Sequence, residues 1–439
     1  MHVQAQPSDQ STSKANKFCI EADLLIPGKG DPIRNGCLII EDDKILYAGK
    51  ASSSEALAQA ADLPKTHVKV VMPGMWDCHV HLVGAQSYDP AAFIEIGTKQ
   101  ALAGARAARD CMILLDAGFT SVREMAGFGV QLARAVKEGT LAGPNIYSAN
   151  CIISPSGGHA DIHSIPKGWY DDACSHGMPM ATADGVPDCL KAVRMQLRTG
   201  AKVIKICTSG GVLSELDNPI DQQFSDEEIR AMVEEAGRAR RVIGAHCHGK
   251  AGILAALRNG VKTIEHGSFI DEECADLMIE KGAILVATRL IVENGLAMKE
   301  FFPPFAYAKM LQVANAHWSA MQLAVKKGVK MATGTDTAGS VPGSDTLTFS
   351  KVGRELAYHV KAGMTPLQAI ESATYIAAQT LGPQAPQAGL LAKGYDADFI
   401  ALDESPLDDV AILGEAKHVT HVWKAGKLYK GPGHPVSSI

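Results

Sequence analysis

The chain has 439 residues, of which 46% are hydrophobic and 21% charged, a composition that supports a substantial buried core. Its formal net charge of −6 provides no basic footprint for nucleic acid, and no apolar run reaches the length of a membrane span. Composition therefore argues against a nucleic-acid-binding or membrane-spanning protein. The length suits one large barrel with an added small domain.

The cysteines and the N-terminus bear on the cellular compartment. Ten cysteines are scattered without a C-x-x-C spacing, so neither a zinc ribbon nor a redox pair is indicated, and buried thiols in a reducing compartment are expected. Residues 1–17 are polar and lack the apolar segment of a signal peptide. We predict a flexible N-terminal tail over 1–17 and a cytoplasmic protein, or a secreted one if a leader peptide has been trimmed.

Strand patterns occupy both ends of the chain. Apolar segments at 18–26, 36–40 and 44–49 are separated by a proline- and glycine-rich turn and by a hairpin at Asp42 and Asp43. The same strand-like pattern of apolar residues occurs at 397–402 and 419–427. We predict one small β-sandwich domain built from residues 18–72 and 388–432, with a larger domain inserted over 73–387.

The inserted segment alternates strand with helix. After a first strand that ends near residue 81, strands are predicted at 120–125, 145–152, 201–207, 242–246, 262–266, 283–288 and 329–334. Helices are predicted between them, for example at 101–117, 225–240, 250–259, 272–281 and 314–327. Eight strands separated by helices predict an α/β fold of the (β/α)₈ TIM-barrel type, with a doubly wound sheet as the alternative.

A His-Val-His sequence, His79 to His81, ends the first barrel strand. Alternate residues of a strand share a face, so both imidazoles point the same way and suit a divalent, zinc-like ion. Further potential ligands lie at or just after later strands, namely His246, His266 and Asp336. Because the C-terminal strand ends of a barrel meet at one mouth, we expect these side chains to converge.

Lys205 lies in the fourth predicted strand and would face the same mouth. An ammonium group has no lone pair for a metal ion, and it could instead pair with a carboxylate. A buried, deprotonated lysine can add CO₂ to become a carbamate. The two carbamate oxygens could bridge two metal ions about 3.5–4 Å apart, which would share a hydroxide at neutral pH.

These motifs resemble the metal-dependent amidohydrolase superfamily, in particular its prolidase and imidazolonepropionase-like group and the fungal ochratoxinases. The resemblance covers nearly the whole chain and is carried by MPGMWDCH (72–79), GAKVIK (200–205), HGKAGI (248–253), GTDT (334–337), GYDADFI (394–400) and THVWK (420–424). It implies two divalent ions, with zinc as the expected metal. His79, His81 and Asp336 would hold the more buried ion, His246 and His266 the other, and carboxylated Lys205 would bridge them.

The resemblance also implies that a metal-bridging hydroxide attacks the substrate carbonyl. Asp336 would take the proton from the bridging water and pass it to the leaving amine. His159 is a candidate for hydrogen bonding to the substrate carbonyl or to the tetrahedral oxyanion, although a loop histidine needs no such role. His248 shares the inward face with His246, two residues earlier, and is a candidate for substrate contact.

A substrate carboxylate would need a donor at the barrel mouth. The candidates are His248 beyond the fifth strand, Arg289 just beyond the seventh, and the backbone of Ser209, Gly210 and Gly211, where glycine permits close approach. Two connections, 154–188 and 289–306, are long for a barrel, and the second contains Phe301, Phe302 and Phe305 among its prolines. Such a segment could form a lid, a hydrophobic substrate wall or a subunit contact.

The predicted function is a carboxypeptidase- or dipeptidase-like amide hydrolase for N-acyl amino acids or dipeptides, including ochratoxin-like aromatic acyl-phenylalanine amides and Xaa-Pro substrates. Alternatives are a lactonase or esterase, and a cyclic-amidine hydrolase or deaminase. The deaminases commonly carry a His-x-x-Glu motif where this chain has Gly249. A non-catalytic scaffold would be expected to have lost ligands, and none is missing. The resemblance further suggests a homo-oligomer, with an octamer as the candidate assembly and a small-molecule substrate as the other partner.

Overall fold

The computed structural model describes residues 16–87 and 90–436. Most of the predicted flexible tail, residues 1–15, lies outside the described residues, whereas Lys17 already begins the first strand. The strands are β1 Lys17–Leu25, β2 Ile33–Glu41, β3 Lys44–Lys50, β4 Lys65–Pro73, β5 Met75–Val80, β6 Phe119–Glu124, β7 Asn145–Ser148, β8 Ile152–Ser154, β9 Met180–Thr182, β10 Ile204–Cys207, β11 Ile243–Cys247, β12 Thr263–His266, β13 Ile284–Val286, β14 Lys330–Met331, β15 Phe399–Leu402, β16 Val419–Lys424 and β17 Lys427–Lys430.

Helices separate most of the central strands. They are α1 Ser54–Ala60, α2 Pro90–Thr98, α3 Gln100–Asp116, α4 Gly129–Lys137, α5 Lys167–Ser175, α6 Gly185–Thr199, α7 Asp226–Arg238, α8 Lys250–Arg258, α9 Glu272–Lys281, α10 Arg289–Ala297, α11 Pro304–Lys327, α12 Arg354–Lys361, α13 Pro366–Ser372 and α14 Tyr375–Gln379. In the described part of the chain, no helix is both long and apolar enough to cross a membrane.

Both ends of the chain meet in one seven-stranded sheet, in the order β17-β16-β15-β4-β1-β2-β3. Strand β4 joins them, because Val70 pairs with Leu24 of β1 on one side and with Leu402 of β15 on the other. Alternating apolar residues such as Ile20 and Phe399 form its core. The predicted β-sandwich from both chain ends is confirmed, whereas the exact domain boundaries at 72, 73, 387 and 388 stay a prediction.

The central strands form the predicted TIM barrel. Strands β5 to β7 and β8 with β10 to β14 pair in parallel, and the barrel closes where the Cys78 amide donates to the Thr333 carbonyl at 2.8 Å. The predicted strand 145–152 is broken into β7 and β8, with Asn150 between them at a left-handed φ of 66°. The break turns β8 so that it pairs with both β9 and β10.

Candidate active site

A cavity opens at the C-terminal ends of the barrel strands. It is lined by residues that the sequence had singled out, namely His79, His81, His159, Lys205, His246, His266 and Asp336. The barrel explains the convergence: its parallel strands start at one end and finish at the other, so residues at strand ends that are distant in sequence share one mouth.

His79, His81 and Asp336 form a first cluster, in which the potential ligand atoms lie within 4.8 Å of one another. His81 Nε2 is 3.0 Å from Asp336 Oδ1, and His79 Nε2 is 3.5 Å from the same oxygen. Asp336 adopts a left-handed φ of 60°, and its amide donates to the His79 carbonyl at 2.7 Å. This backbone turn holds the carboxylate against the two imidazoles.

A second cluster combines His246, His248 and His266, again with ligand atoms within 4.8 Å of one another. Each ring has a neutral hydrogen-bond partner. His246 Nε2 lies 3.1 Å from the Gly210 carbonyl, His248 Nδ1 lies 2.7 Å from Ser268 Oγ, and His266 Nδ1 lies 2.7 Å from Thr288 Oγ1. The sequence predicted His246 and His266 as ligands, and the fold brings His248 into the same group.

Lys205 is buried in the cavity wall, with 1% of its surface exposed. Its Nζ lies 3.3 Å from His79 Nε2, and no carboxylate of the described residues is within ion-pair distance of it. Burial lowers the pKa of the Lys205 amine. An unpaired ammonium is costly in such surroundings, so the uncharged amine is favoured, and only that form adds CO₂.

The side chains fit divalent metal ions. Burial lowers the pKa of His79 to about 4 and holds the pKa values of His246 and His266 well below their usual range. The rings are therefore neutral near pH 7, and neutral imidazole offers the lone pair that a metal needs. Buried imidazole nitrogens with one carboxylate form the donor set of zinc-type sites.

Comparison with known proteins agrees with this geometry. Residues 70–429 match the amidohydrolase family. The chain is 45% identical to ochratoxinase of Aspergillus niger over 455 residues, covering 99% of this chain and 91% of that protein. This chain belongs to the amidohydrolase family. It is accordingly a hydrolase of amide bonds, from a family that generally uses divalent metals.

Solved amidohydrolase structures share its architecture. The crystal structure of A. niger ochratoxinase matches with a TM-score of 0.87 and 44% identity, covering 96% of this chain and 97% of that chain. A Xaa-Pro dipeptidase with methionine bound in its active site matches with a TM-score of 0.82 and 31% identity, covering 94% and 100%. The predicted membership of the amidohydrolase superfamily is thus confirmed.

A buried ion pair supports the first cluster of this amidohydrolase from behind. Glu265 Oε2 lies 2.9 Å from His79 Nδ1, and Arg123 Nη2 donates to both Glu265 oxygens at 2.7 Å. Arg123 also donates to the Cys78 carbonyl at 2.6 Å and to Thr263 Oγ1 at 2.8 Å. A carboxylate on Nδ1 fixes the ring so that Nε2 faces Lys205 and Asp336.

Sequence reasoning did not identify Arg123, Glu265 or Asp217. A signal was present for the first two, since each charged residue stands inside a predicted barrel strand, and a fully buried charge requires a partner. Asp217 lies on a polar loop, where a carboxylate gives no functional signal. Only the fold shows that its carboxylate accepts from Ser214, which lines the cavity.

His159 lines the cavity and stacks on His246, with ring centroids 4.0 Å apart. Its Nδ1 lies 2.9 Å from Ser214 Oγ. His163, on the same long connection, also lines the cavity, and its Nδ1 accepts from the Leu216 amide at 3.1 Å. The His163 Nε2 atom is buried and has no hydrogen-bond partner in the described chain.

The backbone groups predicted to donate to a substrate carboxylate make hydrogen bonds within the protein instead. The Gly210 amide donates to the Asp221 carbonyl and the Gly211 amide to Asp217 Oδ2, both at 3.1 Å. Ser209 Oγ donates to the Gly210 carbonyl and accepts from the His248 amide at 2.8 Å. The backbone of this segment is thereby tied to its own loop instead of being open to a ligand.

Arg289 lies just beyond β13, where the sequence placed it, and its side chain also makes its hydrogen bonds within the protein. Its guanidinium donates to Glu293 at 2.6 Å and to the Ala314 carbonyl at 2.8 Å. It does not belong to the described lining of the cavity. Helix α10 begins at this residue, and the helical i,i+4 spacing brings Glu293 within reach of the side chain.

The two long connections are structured, and both contribute apolar wall to the cavity. The first contains α5 and β9 and supplies Met178, and the second contains α10 and the start of α11 and supplies Ile291 and Phe305. Phe93 of α2 and Leu213 add to the apolar part of the lining. Of the three roles predicted for these segments, the geometry favours a hydrophobic substrate wall.

Proposed function

We propose that this amidohydrolase holds two divalent ions, with zinc as the expected metal, and cleaves the amide bond of N-acyl amino acids or dipeptides. The observation that carries the proposal is the pair of ligand clusters with the unpaired Lys205 beside them. His79, His81 and Asp336 would hold one ion, and His246 and His266 the other. Carboxylated Lys205 would bridge them.

Bound ions would polarise the substrate carbonyl and lower the pKa of water so that it can attack at neutral pH. Burial alone would raise the pKa of Asp336, but His79 and His81 outweigh it and lower that pKa to about 2. The carboxylate is therefore ionised and ready to accept a proton from the attacking water. It would then return that proton to the leaving amine.

His248 and His159 complete the proposed machinery. His248 belongs to the second cluster, so we assign it a position beside the second ion in place of a remote substrate contact. His159 stands against His246 at the cavity surface and would contact the amide group of the substrate. Both rings are held by serine hydroxyls, which limits their rotation.

The apolar wall supports a bulky or aromatic acyl group. Side chains such as Phe93, Leu213, Ile291 and Phe305 would bury one at roughly 25 cal/mol per Å² of apolar surface removed from water. Similar proteins include an ochratoxinase, a Xaa-Pro dipeptidase and a prolidase complexed with N-methylphosphonate-L-proline. The names of the last two concern proline, which supports an amino acid on one side of the cleaved amide.

His163 replaces Arg289 and the 209–211 backbone as the candidate donor for a substrate α-carboxylate. Because its Nδ1 accepts from Leu216, the neutral ring carries hydrogen on Nε2, and that N–H has no partner in the described chain. A hydrogen bond to a charged group is worth roughly 1.5–3 kcal/mol, or about 10- to 150-fold in kcat/KM.

The test compares an N-acyl phenylalanine with its C-terminal amide. We expect kcat/KM to be about 10- to 150-fold higher for the acid. His163→Phe should remove that preference while leaving hydrolysis of the amide unchanged, so the amide serves as the internal control. Equal values for both substrates on the unmodified protein would reject carboxylate recognition and favour a lactonase, esterase or deaminase.

Elemental analysis tests the metal assignment separately. Fully active protein should contain two divalent ions per chain. One ion or none in fully active protein would contradict the proposal.

A further inference from the structure

His159 belongs to a hydrogen-bonded chain that runs away from the cavity. From its Nδ1 the chain passes to Ser214 Oγ at 2.9 Å and from Ser214 Oγ to Asp217 Oδ1 at 2.5 Å. The loop between β10 and α7 carries both Ser214 and Asp217. This loop is the same segment whose backbone had been expected to bind substrate.

Asp217 is surrounded by donors. Its Oδ2 accepts from the Gly211 amide at 3.1 Å and from Gln223 Nε2 at 3.0 Å, and its Oδ1 also lies 3.1 Å from Lys309 Nζ. Burial alone would raise the pKa of Asp217, but the Ser214 hydroxyl and the Lys309 ammonium counteract it, and the pKa is lowered. The carboxylate is ionised and can only accept hydrogen bonds.

Proton counting then determines the state of His159. Ser214 has a single hydroxyl hydrogen, and a short contact between its oxygen and an ionised carboxylate requires that hydrogen to lie between them. Toward His159, Ser214 Oγ is therefore an acceptor, and the hydrogen must be on His159 Nδ1. Neutral imidazole has one N–H, so His159 Nε2 carries a lone pair.

We propose that Asp217, acting through Ser214, is a positioning residue that sets His159 in the Nδ1–H tautomer, so that the ring offers an acceptor to the cavity. For catalysis this inference rests on the proposed function. An acceptor at this place suits a secondary amide, which has an N–H to donate. The nitrogen of a Xaa-Pro amide carries no hydrogen, so the arrangement favours N-acyl amino acids such as N-acyl phenylalanine over Xaa-Pro substrates.

His163 provides an internal reference in the same cavity. Its Nδ1 accepts the Leu216 amide, so it has the opposite tautomer, with hydrogen on Nε2. Long-range ¹H–¹⁵N correlation spectra of the full chain labelled with ¹⁵N-histidine distinguish the two forms. His159→Gln and His163→Gln assign the two signals by their disappearance. We expect opposite tautomers for the two residues, in metal-free and in metal-loaded protein.

Asp217→Asn gives the sharpest test. The Gly211 and Gln223 donors retain the amide oxygen of the new side chain, and the Lys309 ammonium keeps its three carbonyl acceptors. The NH₂ group therefore faces Ser214 and donates to it. Ser214 then donates to His159 Nδ1, and the hydrogen of His159 moves to Nε2. We expect a reversed tautomer, and for an N-acyl phenylalanine a loss in kcat of about 10- to 100-fold with little change in KM.

Matched variants separate this effect from loop stability. Lys309→Met removes contacts of the Lys309 ammonium with the Gly211, Ser214 and Asp217 carbonyls, yet it should leave the tautomer unchanged. Ser214→Ala should give a mixture of both tautomers, and Ser214→Thr, which keeps the hydroxyl, should restore the Nδ1–H form. An Nε2–H form of His159 in the unmodified protein, or an unchanged tautomer in folded Asp217→Asn, would overturn the proposal. The spectra decide this even if no amide is hydrolysed.

Discussion

Two buried carboxylates of the barrel domain, Glu265 and Asp110, each lie near an arginine. The arginine near Glu265 donates hydrogen bonds to the carboxylate, whereas the arginine near Asp110 donates to a backbone carbonyl. Arg123 donates to both oxygens of Glu265 at 2.7 Å. Arg109 is partly exposed and donates to the Ser340 carbonyl, so that its Nη2 remains 3.6 Å from Asp110. Neither oxygen of Asp110 has a hydrogen-bond partner in the described residues.

The two carboxylates consequently have opposite protonation behaviour. Burial would raise the pKa of Glu265, but Arg123 and His79 outweigh it and hold that pKa far below its usual range. Burial raises the pKa of Asp110 to about 7, because the nearby Ser340 and Arg109 compensate only in part. Burial is the same in both cases, so hydrogen-bond geometry decides whether a buried acid remains charged.

Lys205 extends the comparison to a buried cation. As for Asp110, burial shifts its pKa toward the uncharged form. Lys205 has no carboxylate within ion-pair distance in the described chain, whereas Asp110 has only the distant Arg109 guanidinium at 3.6 Å. Away from the active site, a buried ionisable group without a close counter-ion only lowers the free energy of unfolding. At the mouth, beside His79, the same property makes a lysine reactive toward CO₂.

The largest effect is expected for Lys205→Ala. If the lysine bridges two ions, its loss should lower kcat/KM by about 1,000-fold or more and reduce the metal content below two ions per chain. The barrel should remain folded, because an unpaired buried amine contributes little to stability. Circular dichroism, elemental analysis and turnover measure these outcomes.

Added short carboxylic acids should partly restore activity to Lys205→Ala by replacing the carbamate oxygens. If Lys205 were only a structural residue, the variant would retain near wild-type turnover and would not respond to the acids.

Glu265→Gln tests the supported carboxylate. Loss of this charge leaves Arg123 unpaired in the interior, which should cost about 3–5 kcal/mol in the free energy of unfolding. It also weakens the hydrogen bond that orients the His79 ring, so zinc affinity should fall about 10- to 100-fold. Denaturant unfolding and competition with a chelator are the measurements.

Ser268→Ala is the matched control in the second cluster, because it removes a neutral hydroxyl from His248 Nδ1. We expect a change of only about 1 kcal/mol in stability. Equal losses in Glu265→Gln and Ser268→Ala would mean that the Arg123–Glu265 pair has no special part in holding the first cluster.

Asp110→Asn tests the unsupported carboxylate and should have the smallest effect on activity. Since the folded-state pKa of Asp110, about 7, exceeds its ordinary value of 3.8, the native state holds a proton that the unfolded chain has released between these pH values. This group therefore lowers the free energy of unfolding as pH rises through that window, by at most about 1.4 kcal/mol per pH unit.

Asp110→Asn removes this dependence and should be more stable than the unmodified protein at pH 8, with the difference shrinking toward pH 4. Unfolding at several pH values measures it, and activity should not change. The exposed Asp62 provides the control, since Asp62→Asn should leave the stability curve unaltered. A difference that grows toward acid pH would contradict the assignment.

Local sequence patterns were sufficient for the architecture and for the core of the candidate site. Alternating strand segments at both ends predicted one joint sheet, and the alternation of strand and helix predicted the barrel. His79 and His81 share a face because side chains alternate along a strand, and the strand-end positions of Lys205, His246, His266 and Asp336 followed from the same periodicity. Their roles as ligands remain predictions.

Tertiary structure alone decided the partners of these residues. Arg123 and Glu265 are separated by 142 positions, and no local pattern indicates that they meet. The same holds for Arg289, which binds Glu293 instead of facing the cavity, and for Asp217, which reaches His159 through Ser214. Periodicity specifies the face on which a side chain lies, whereas its hydrogen-bond partner depends on which distant segments the closed barrel brings within about 3 Å.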